Sequence, residues 1–509
     1  MRFDFILIEA ESSLELRDGF SKLVIIDLDV FVYNCLRLYH ISGFHTAKLP
    51  HTDTDPGDEA CILAVLALER LYLLENDRQS HLIRAVCLLE FLLSHSPFNS
   101  KARLMLVNLY RHLGLYSLAF NVSKGMKVKG ILFESVSPVL FTRLASLHPS
   151  GHGEIEPCKQ ITKTLEFYKD ALLQIPHYQE MALQEGNYSQ IISFNDLTAK
   201  LRNSLTRRML IFERRRIARL LRLPYQEEYN APSKKLSGES LRSNEKPLFR
   251  TSIKDIPAVS KSYINWLEYT DVIFDLASPH PQRRSHEEIQ YWHHAFELGA
   301  WIYMEPGSSG MNTEAEMSSA LLAKKLSWLS FTLGGHLNPS ELTACTLLEH
   351  LQSFSAFIQN WWLPQDDDDI TPVPAWQNHQ AAFLALESIQ AVHNIATKAL
   401  LAIKEGKLGK PSTSSAEQSR KCTAAAKALQ ASAVKWVGEI RARVLAWKQT
   451  VLRYQARMVD DVMGRVADRD DISVAMYDLM GEAEVESVLR RIGESAVEAL
   501  DGVLLFRLV

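Results

Sequence analysis

Leu104-Met105-Leu106-Val107-Asn108-Leu109-Tyr110-Arg111-His112-Leu113-Gly114-Leu115-Tyr116-Ser117-Leu118-Ala119-Phe120 is the stretch whose reading decides the fold of this chain. Its apolar residues recur at helical spacing as far as Tyr110, and Gly114 then falls where a left-handed helix terminus needs no Cβ. A second helix follows. In it the small residue Ala119 sits where two helices of a hairpin cross, because a larger side chain would push the axes apart. Tyr110 fills the gap beside that crossing.

Ala85 stands 34 residues before Ala119, in a segment that runs through Leu92 to Pro97. That period, with an aromatic, a glycine and an alanine at these places, is the signature of a tetratricopeptide-like helix-turn-helix solenoid. Pro97 ends one helix, and the Ser96-Pro97-Phe98-Asn99 turn starts the next. The earlier repeat lacks the aromatic and the glycine, so the pair is degenerate. The pattern predicts a binding scaffold before any catalytic residue is considered.

Composition agrees. Among 509 residues there are only 22 Gly and 19 Pro, which favours long helices over turn-rich sheets. The expected class is all-α: a tetratricopeptide-like solenoid followed by a long-helix C-terminal region. With 56 basic and 60 acidic residues the net charge is −4, so the molecule as a whole is not a polyanion binder and no DNA partner is expected. Cys35, Cys61, Cys87, Cys158, Cys345 and Cys422 form no CxxC pair and read as buried thiols of a reducing compartment. The N-terminus carries acids at Asp4, Glu9 and Glu11 and no basic segment of a secretory signal. The most apolar early run, Leu23 to Tyr39, is interrupted by Asp27, Asp29, Asn34 and Arg37, so no membrane span is expected.

Along the chain, residues 1–57 read as an N-terminal cap region and 58–227 as the helical repeats. Within the repeats, Pro176 and Gly186-Asn187 punctuate three helices, the last a long one from Ser189 to Leu223. Residues 228–262 lose periodicity and collect Ser, Pro, Lys and Asn, as a linker does. A helical region over 263–363 and an acidic loop over 364–374 follow. Residues 375–509 form an antiparallel pair of long helices, Ala375 to Lys404 and Ala416 to about Val466, and a C-terminal helix from Glu482 to about Phe506. Ala424, Ala425, Ala426, Ala428 and Ala431 would let the two arms approach closely.

Candidates for chemistry are few. An acetyl-CoA site would need a strand followed by a Gln/Arg-x-x-Gly-x-Gly/Ala loop, and both near misses fail at the last position: Arg111 to Tyr116, between two repeat helices, and Arg490 to Ser495, in a helical context. No phosphate-binding GxxxxGK[ST] or dinucleotide fingerprint occurs. His286, His293 and His294 lack the HExxH spacing, since position 290 is Gln290, and Asp366 to Asp369 lack that of a calcium loop. No catalytic, cofactor-binding or metal-binding residue is therefore assigned.

The charged feature of interest is basic. Arg202, Arg207, Arg208, Arg214, Arg215, Arg216, Arg219 and Arg222 lie on one helical stretch against the single acid Glu213. Such a row could track a phosphate backbone or an acidic protein surface, with Arg207, Arg208, Arg214, Arg215 and Arg219 as the contacts. The favoured alternative is a solvated face whose arginine stems cover apolar surface. It lacks the interleaved aromatics that base stacking requires.

Three segments carry a family resemblance. They are Leu104 to Gly114 with Ala119-Phe120 and Met126-Lys127-Val128-Lys129; Leu140-Phe141-Thr142-Arg143-Leu144-Ala145-Ser146-Leu147-His148-Pro149; and Glu185-Gly186-Asn187-Tyr188-Ser189-Gln190-Ile191-Ile192-Ser193-Phe194, with Leu201, Asn203, Ser204, Leu205 and Glu213-Arg214-Arg215-Arg216 after it. In words, order and spacing they resemble the auxiliary, non-catalytic subunit of the N-terminal acetyltransferase B complex, in a fungal-like form. The resemblance is specific from about 60 to 223 and is one of architecture beyond.

It implies a cytoplasmic scaffold with no active site of its own, which binds and positions a small catalytic acetyltransferase and links it to the ribosome. Acetyl-CoA is then expected in the catalytic partner, and nascent chains starting with Met followed by Asp, Glu, Asn or Gln are met indirectly. The concave side of the 58–223 solenoid would hold the catalytic subunit. Family members begin with further repeats, so the resemblance also raises an N-terminal truncation, with the residues up to about 45 acting as the cap that an exposed repeat face requires. The rival reading is a helical-repeat adaptor for RNA or for an unrelated protein complex, and an enzyme built from distant helices is a third.

Overall fold

The computed structural model describes residues 14–43, 55–221, 344–362, 373–405 and 415–508, apart from short interruptions at 76–77, 130–131, 142, 149–155, 203, 375, 456, 465–468 and 507. Every regular element among them is a helix. The 228–262 linker, the helices expected between 263 and 343, the histidines at 286, 293 and 294, Asp366 to Asp369 and Arg222 lie outside the described residues.

The array opens with α1 (Leu14–Gly43), α2 (Asp58–Leu74), α3 (Gln79–His95), α4 (Ser100–His112) and α5 (Tyr116–Lys124), each packed on the next except where α5 turns toward the short helices α6 (Leu132–Phe141) and α7 (Leu144–Leu147). Ala85 on α3 and Ala119 on α5 are both fully buried at their crossings. Tyr110 is buried beside them, with its hydroxyl donating to the Glu90 carboxylate.

The turns behave as their residues dictate. The Asn99 side chain caps α4 by accepting from the Ala102 amide at 3.0 Å. Its amide nitrogen and the Ser96 hydroxyl each donate at 3.0 Å to Asp58, the first residue of α2. The turn around Pro97 is thus clamped onto the start of the preceding hairpin. Burial pushes the Asp58 carboxyl above its ordinary range, against the pull of those two donors. At Gly114, φ is +72°, the Leu115 amide reaches the Tyr110 carbonyl at 2.7 Å, and the Gly114 amide reaches that of Arg111 at 3.0 Å. This is the left-handed helix ending that the glycine predicts.

Next come α8 (Pro157–Gln184), α9 (Tyr188–Arg202) and α10 (Leu205–Leu221). Two expectations need correction here. Pro176 does not divide a helix but sits inside α8 with its ring exposed, and the helix continues past the one hydrogen bond it loses. The long helix from Ser189 to Leu223 is two, because Ser204 is buried at the break and its hydroxyl caps α10 by accepting from the Arg207 amide at 3.0 Å.

The C-terminal region comprises α11 (Ala344–Trp362), α12 (Trp376–Lys404), α13 (Ser415–Gln455), α14 (Met458–Met463), α15 (Asp471–Met480) and α16 (Glu482–Leu504). The expected long pair is α12 and α13, which pack together, but the second arm stops at Gln455 rather than about Val466. Of the five alanines thought to line that contact only Ala426 is buried, one turn from Cys422 and Leu429. Ala425 is half-buried, while Ala424, Ala428 and Ala431 face out.

This region folds back on the repeats: α15 packs on α1, α14 on α3, α16 on α5 and α12 on α7. One continuous apolar core results. The segment read as an acidic loop to residue 374 ends in buried Val373 and Pro374, because Gln79 grips Val373 on both sides. Its amide donates to the Val373 carbonyl at 2.7 Å, and its oxygen accepts from the Val373 amide at 3.2 Å.

Candidate partner-binding surfaces

The arginine helix α10 has an inner and an outer side. Thr206, Leu210, Glu213 and Ile217, three to four residues apart, are its buried row. Arg216 joins them, with 1% of its surface exposed. Its guanidinium lies 3.4 Å from Glu213 and 3.0 Å from Glu387 of α12, and it stacks 4.5 Å over the Phe383 ring. The Ala145 amide, at the start of α7, donates to Glu213 at 2.7 Å. Burial pushes the Glu213 carboxyl up, against the pull of Arg216 and that amide.

Arg216 and Glu213 are therefore an internal lock between α7, α10 and α12, not part of a charged surface. Arg207 and Arg214 are half-buried, and the side chains of Arg208, Arg215 and Arg219 lie outside what is described. Sequence reasoning grouped Arg216 with its neighbours by charge. The signal that separates it is its place beside the 206, 210, 213, 217 row.

The side of the repeats formed by α3 and α5 is taken up within the molecule. Arg84, buried on α3, donates through Nε to the Val462 carbonyl at 2.6 Å and through a terminal nitrogen to the Ser473 hydroxyl at 2.9 Å, and it pairs with Asp470 at 2.9 Å. Glu90, which accepts from Tyr110, also faces Arg491 of α16 at 3.4 Å. Ser117 of α5 meets Ser495 of α16 at 2.6 Å. None of these contacts was legible beforehand, since each joins residues several hundred positions apart.

Both near-miss cofactor sequences have structural positions. Arg111 to Tyr116 is the glycine turn between α4 and α5, lying under His379 of α12. Arg490 to Ser495 is the middle of α16. Burial lowers the His379 imidazole to about 4, so it is neutral at physiological pH. Among the described residues no three His, Cys, Asp or Glu side chains gather as metal ligands would, and no helix is long and apolar enough to cross a membrane. The buried Cys61 and Cys87 have thiols pushed up by desolvation, Cys87 to about 12.

Surface remains on other elements. α1 exposes Leu23, Ile26, Val30, Phe31, Leu38 and Ile41, and α2 exposes Leu63 and Leu66. The end of the α8–α9 hairpin exposes Leu173, Tyr178, Met181, Leu183, Tyr188 and Ile192. Stacked helical hairpins, one side covered by the chain's own C-terminal helices and apolar positions left outward define an all-α helical-repeat fold.

The comparisons with known proteins agree. Residues 14–255 match the family described as N-acetyltransferase B complex (NatB) non catalytic subunit, so over that stretch the chain is similar to members of this family. A stretch of 209 residues is 29% identical to the N-terminal acetyltransferase B complex subunit arm1 of Schizosaccharomyces pombe, covering 39% of this chain and 24% of that protein. Another of 179 residues is 31% identical to the phagocyte signaling-impaired protein of Aedes aegypti, covering 34% of this chain and 18% of that one. The matched stretches thus span about a quarter or less of those relatives. In fold, the chain is similar to a chain of the NatB acetyltransferase complex bound to a bisubstrate inhibitor, with TM-score 0.55 at 15% identity over 90% of this chain and 55% of that one.

Proposed function

We propose that this chain is a non-catalytic scaffold in an N-terminal acetyltransferase B complex, holding and positioning the catalytic subunit in the cytoplasm. The observation that carries the reading is the family match over 14–255, whose described part, up to Leu221, is the stacked helices α1 to α10. Acetyl-CoA binds the partner, which modifies nascent chains beginning with Met followed by Asp, Glu, Asn or Gln. The ribosome is the second partner, and it brings the complex to those chains.

The surfaces for these contacts lie away from the side formed by α3 and α5, which the chain covers itself. Loss of Arg216 from the basic row leaves less cationic surface for an RNA adaptor. The direct test is purification of the tagged full chain from its own cells. Recovery of a small acetyltransferase in stoichiometric amount, ribosomes at low salt, and loss of acetylation at Met-Asp, Met-Glu, Met-Asn and Met-Gln starts on deletion are expected. Unchanged acetylation and no acetyltransferase partner would overturn the reading.

A further inference from the structure

The α8–α9 hairpin is held together internally yet turns apolar side chains outward. Tyr178 stacks on Phe194 at 6.1 Å, and the Gln179 amide donates to Asn195 at 2.8 Å, tying the two helices side by side. The turn closes through a left-handed Gly186, φ +71°, with the Asn187 amide on the Ala182 carbonyl at 2.8 Å. Nothing lies within 4 Å of where a Cβ at Gly186 would be, so this end points into open space. Leu183 and Tyr188 flank the turn at 58% and 66% exposure, and Ile192, one helical turn beyond Tyr188, is 71% exposed. An apolar side chain left in water at each of these places is unusual for a surface that stays bare.

Charge identifies what covers it. From 170 to 199 the chain contains Asp170, Glu180, Glu185 and Asp196 and not one Lys or Arg, and all four acids are exposed. Around the turn itself, from 178 to 192, the charged residues are Glu180 and Glu185, both exposed, and the nearest lysines in sequence are Lys169 and Lys200 at the far ends of the two helices' shared stretch. A nucleic acid would be repelled, and an acidic peptide also. A segment with an apolar stripe flanked by Lys and Arg would bury its stripe on Leu183, Tyr188 and Ile192 while its cations meet the carboxylates. We propose that the end of the α8–α9 hairpin is a docking surface for a basic, amphipathic helical segment of a partner protein. This surface is distinct from the arginine helix α10, and the proposal stands whether or not the acetyltransferase reading does.

The probe is a helical peptide with Leu at i, i+3, i+4 and i+7 and Lys elsewhere, labelled for fluorescence anisotropy against the full chain. Controls are the same peptide with every Lys made Glu, a Lys peptide without leucines, and single-stranded RNA. The basic amphipathic peptide binds, and Tyr188→Ser with Ile192→Ser weakens it by about tenfold or more. Glu180→Lys with Glu185→Lys weakens it as well, more at low salt than at high. These four positions are exposed, and an unchanged circular-dichroism melt establishes that each variant folds. Binding that both variants leave intact, equal binding of the glutamate peptide, or RNA binding lost in the Tyr188/Ile192 variant would overturn the proposal. So would concentration-dependent dimerisation abolished by that variant, which would make a second copy the occupant.

Discussion

A Cβ added at Gly114 would lie 2.8 Å from Cδ2 of His379 and 3.0 Å from the Pro374 carbonyl oxygen. The glycine that ends α4 is therefore also the floor on which the first turn of α12 rests. One residue serves a local turn and a contact with a distant part of the chain.

Gly114→Ala combines a left-handed penalty with a collision against a buried ring, so it lowers stability by about 2–4 kcal/mol. Gly186 has nearly the same φ, +71°, but open space around it. Gly186→Ala thus costs only the backbone term, about 1–2 kcal/mol. Urea midpoints of the two variants measure the difference, and equal losses would mean that the His379 contact is without weight.

His379 makes a pH prediction. Its pKa falls on folding from the ordinary value of 6.5 to about 4. Between those values the unfolded chain binds more protons than the folded one, so stability rises with pH. The contribution is complete above about 6.5 and is lost as pH falls toward 4, roughly 3 kcal/mol in all. The stability gap between wild type and His379→Gln should narrow from pH 7.5 to pH 4.5. A gap independent of pH would contradict it.

Arg84→Ala leaves the Val462 carbonyl and the Ser473 hydroxyl without their donor and Asp470 without its cation. A loss of about 3 kcal/mol is expected. Amide hydrogen exchange should quicken in α14 and α15 while α8 and α9 are unaffected. Burial opposes ionisation of Asp470, and Arg84 with the Ser473 donors outweighs it, so its carboxyl titrates below the usual range. In wild type this contribution is present above the ordinary carboxylate pKa and is lost as pH falls through the depressed one.

Arg216→Ala strands two carboxylates, Glu213 and Glu387, and should cost about 3–5 kcal/mol by denaturant titration. Arg216→Lys recovers little, since one ammonium replaces a planar fork that spans both acids and stacks on Phe383. A variant as stable as wild type would return Arg216 to the surface row.

Where neighbours in sequence carry the information, reading the residues sufficed. Ala85, Tyr110, Gly114 and Ala119 lie where a 34-residue repeat places them, and Gly186 ends α8 as a left-handed glycine should. Local signals were also misweighed. Pro176 suggests a break that an exposed helix side tolerates, and the capping signal of Ser204 is masked by the arginine-rich run around it. The alanines of α13 look alike in sequence, but helical geometry turns only Ala426 of the five fully inward.

By itself the sequence determined the class of element, the repeat and its turns, and the family that 14–255 resembles, because helix periodicity, caps and left-handed glycines act over a few residues. Only the tertiary structure decided which charges are surface and which are mortar. Arg84, Arg216 and Gln79 look like any exposed polar residue until Val462, Glu387 and Val373 come to meet them, and a buried charge or amide is tolerable only when such partners arrive.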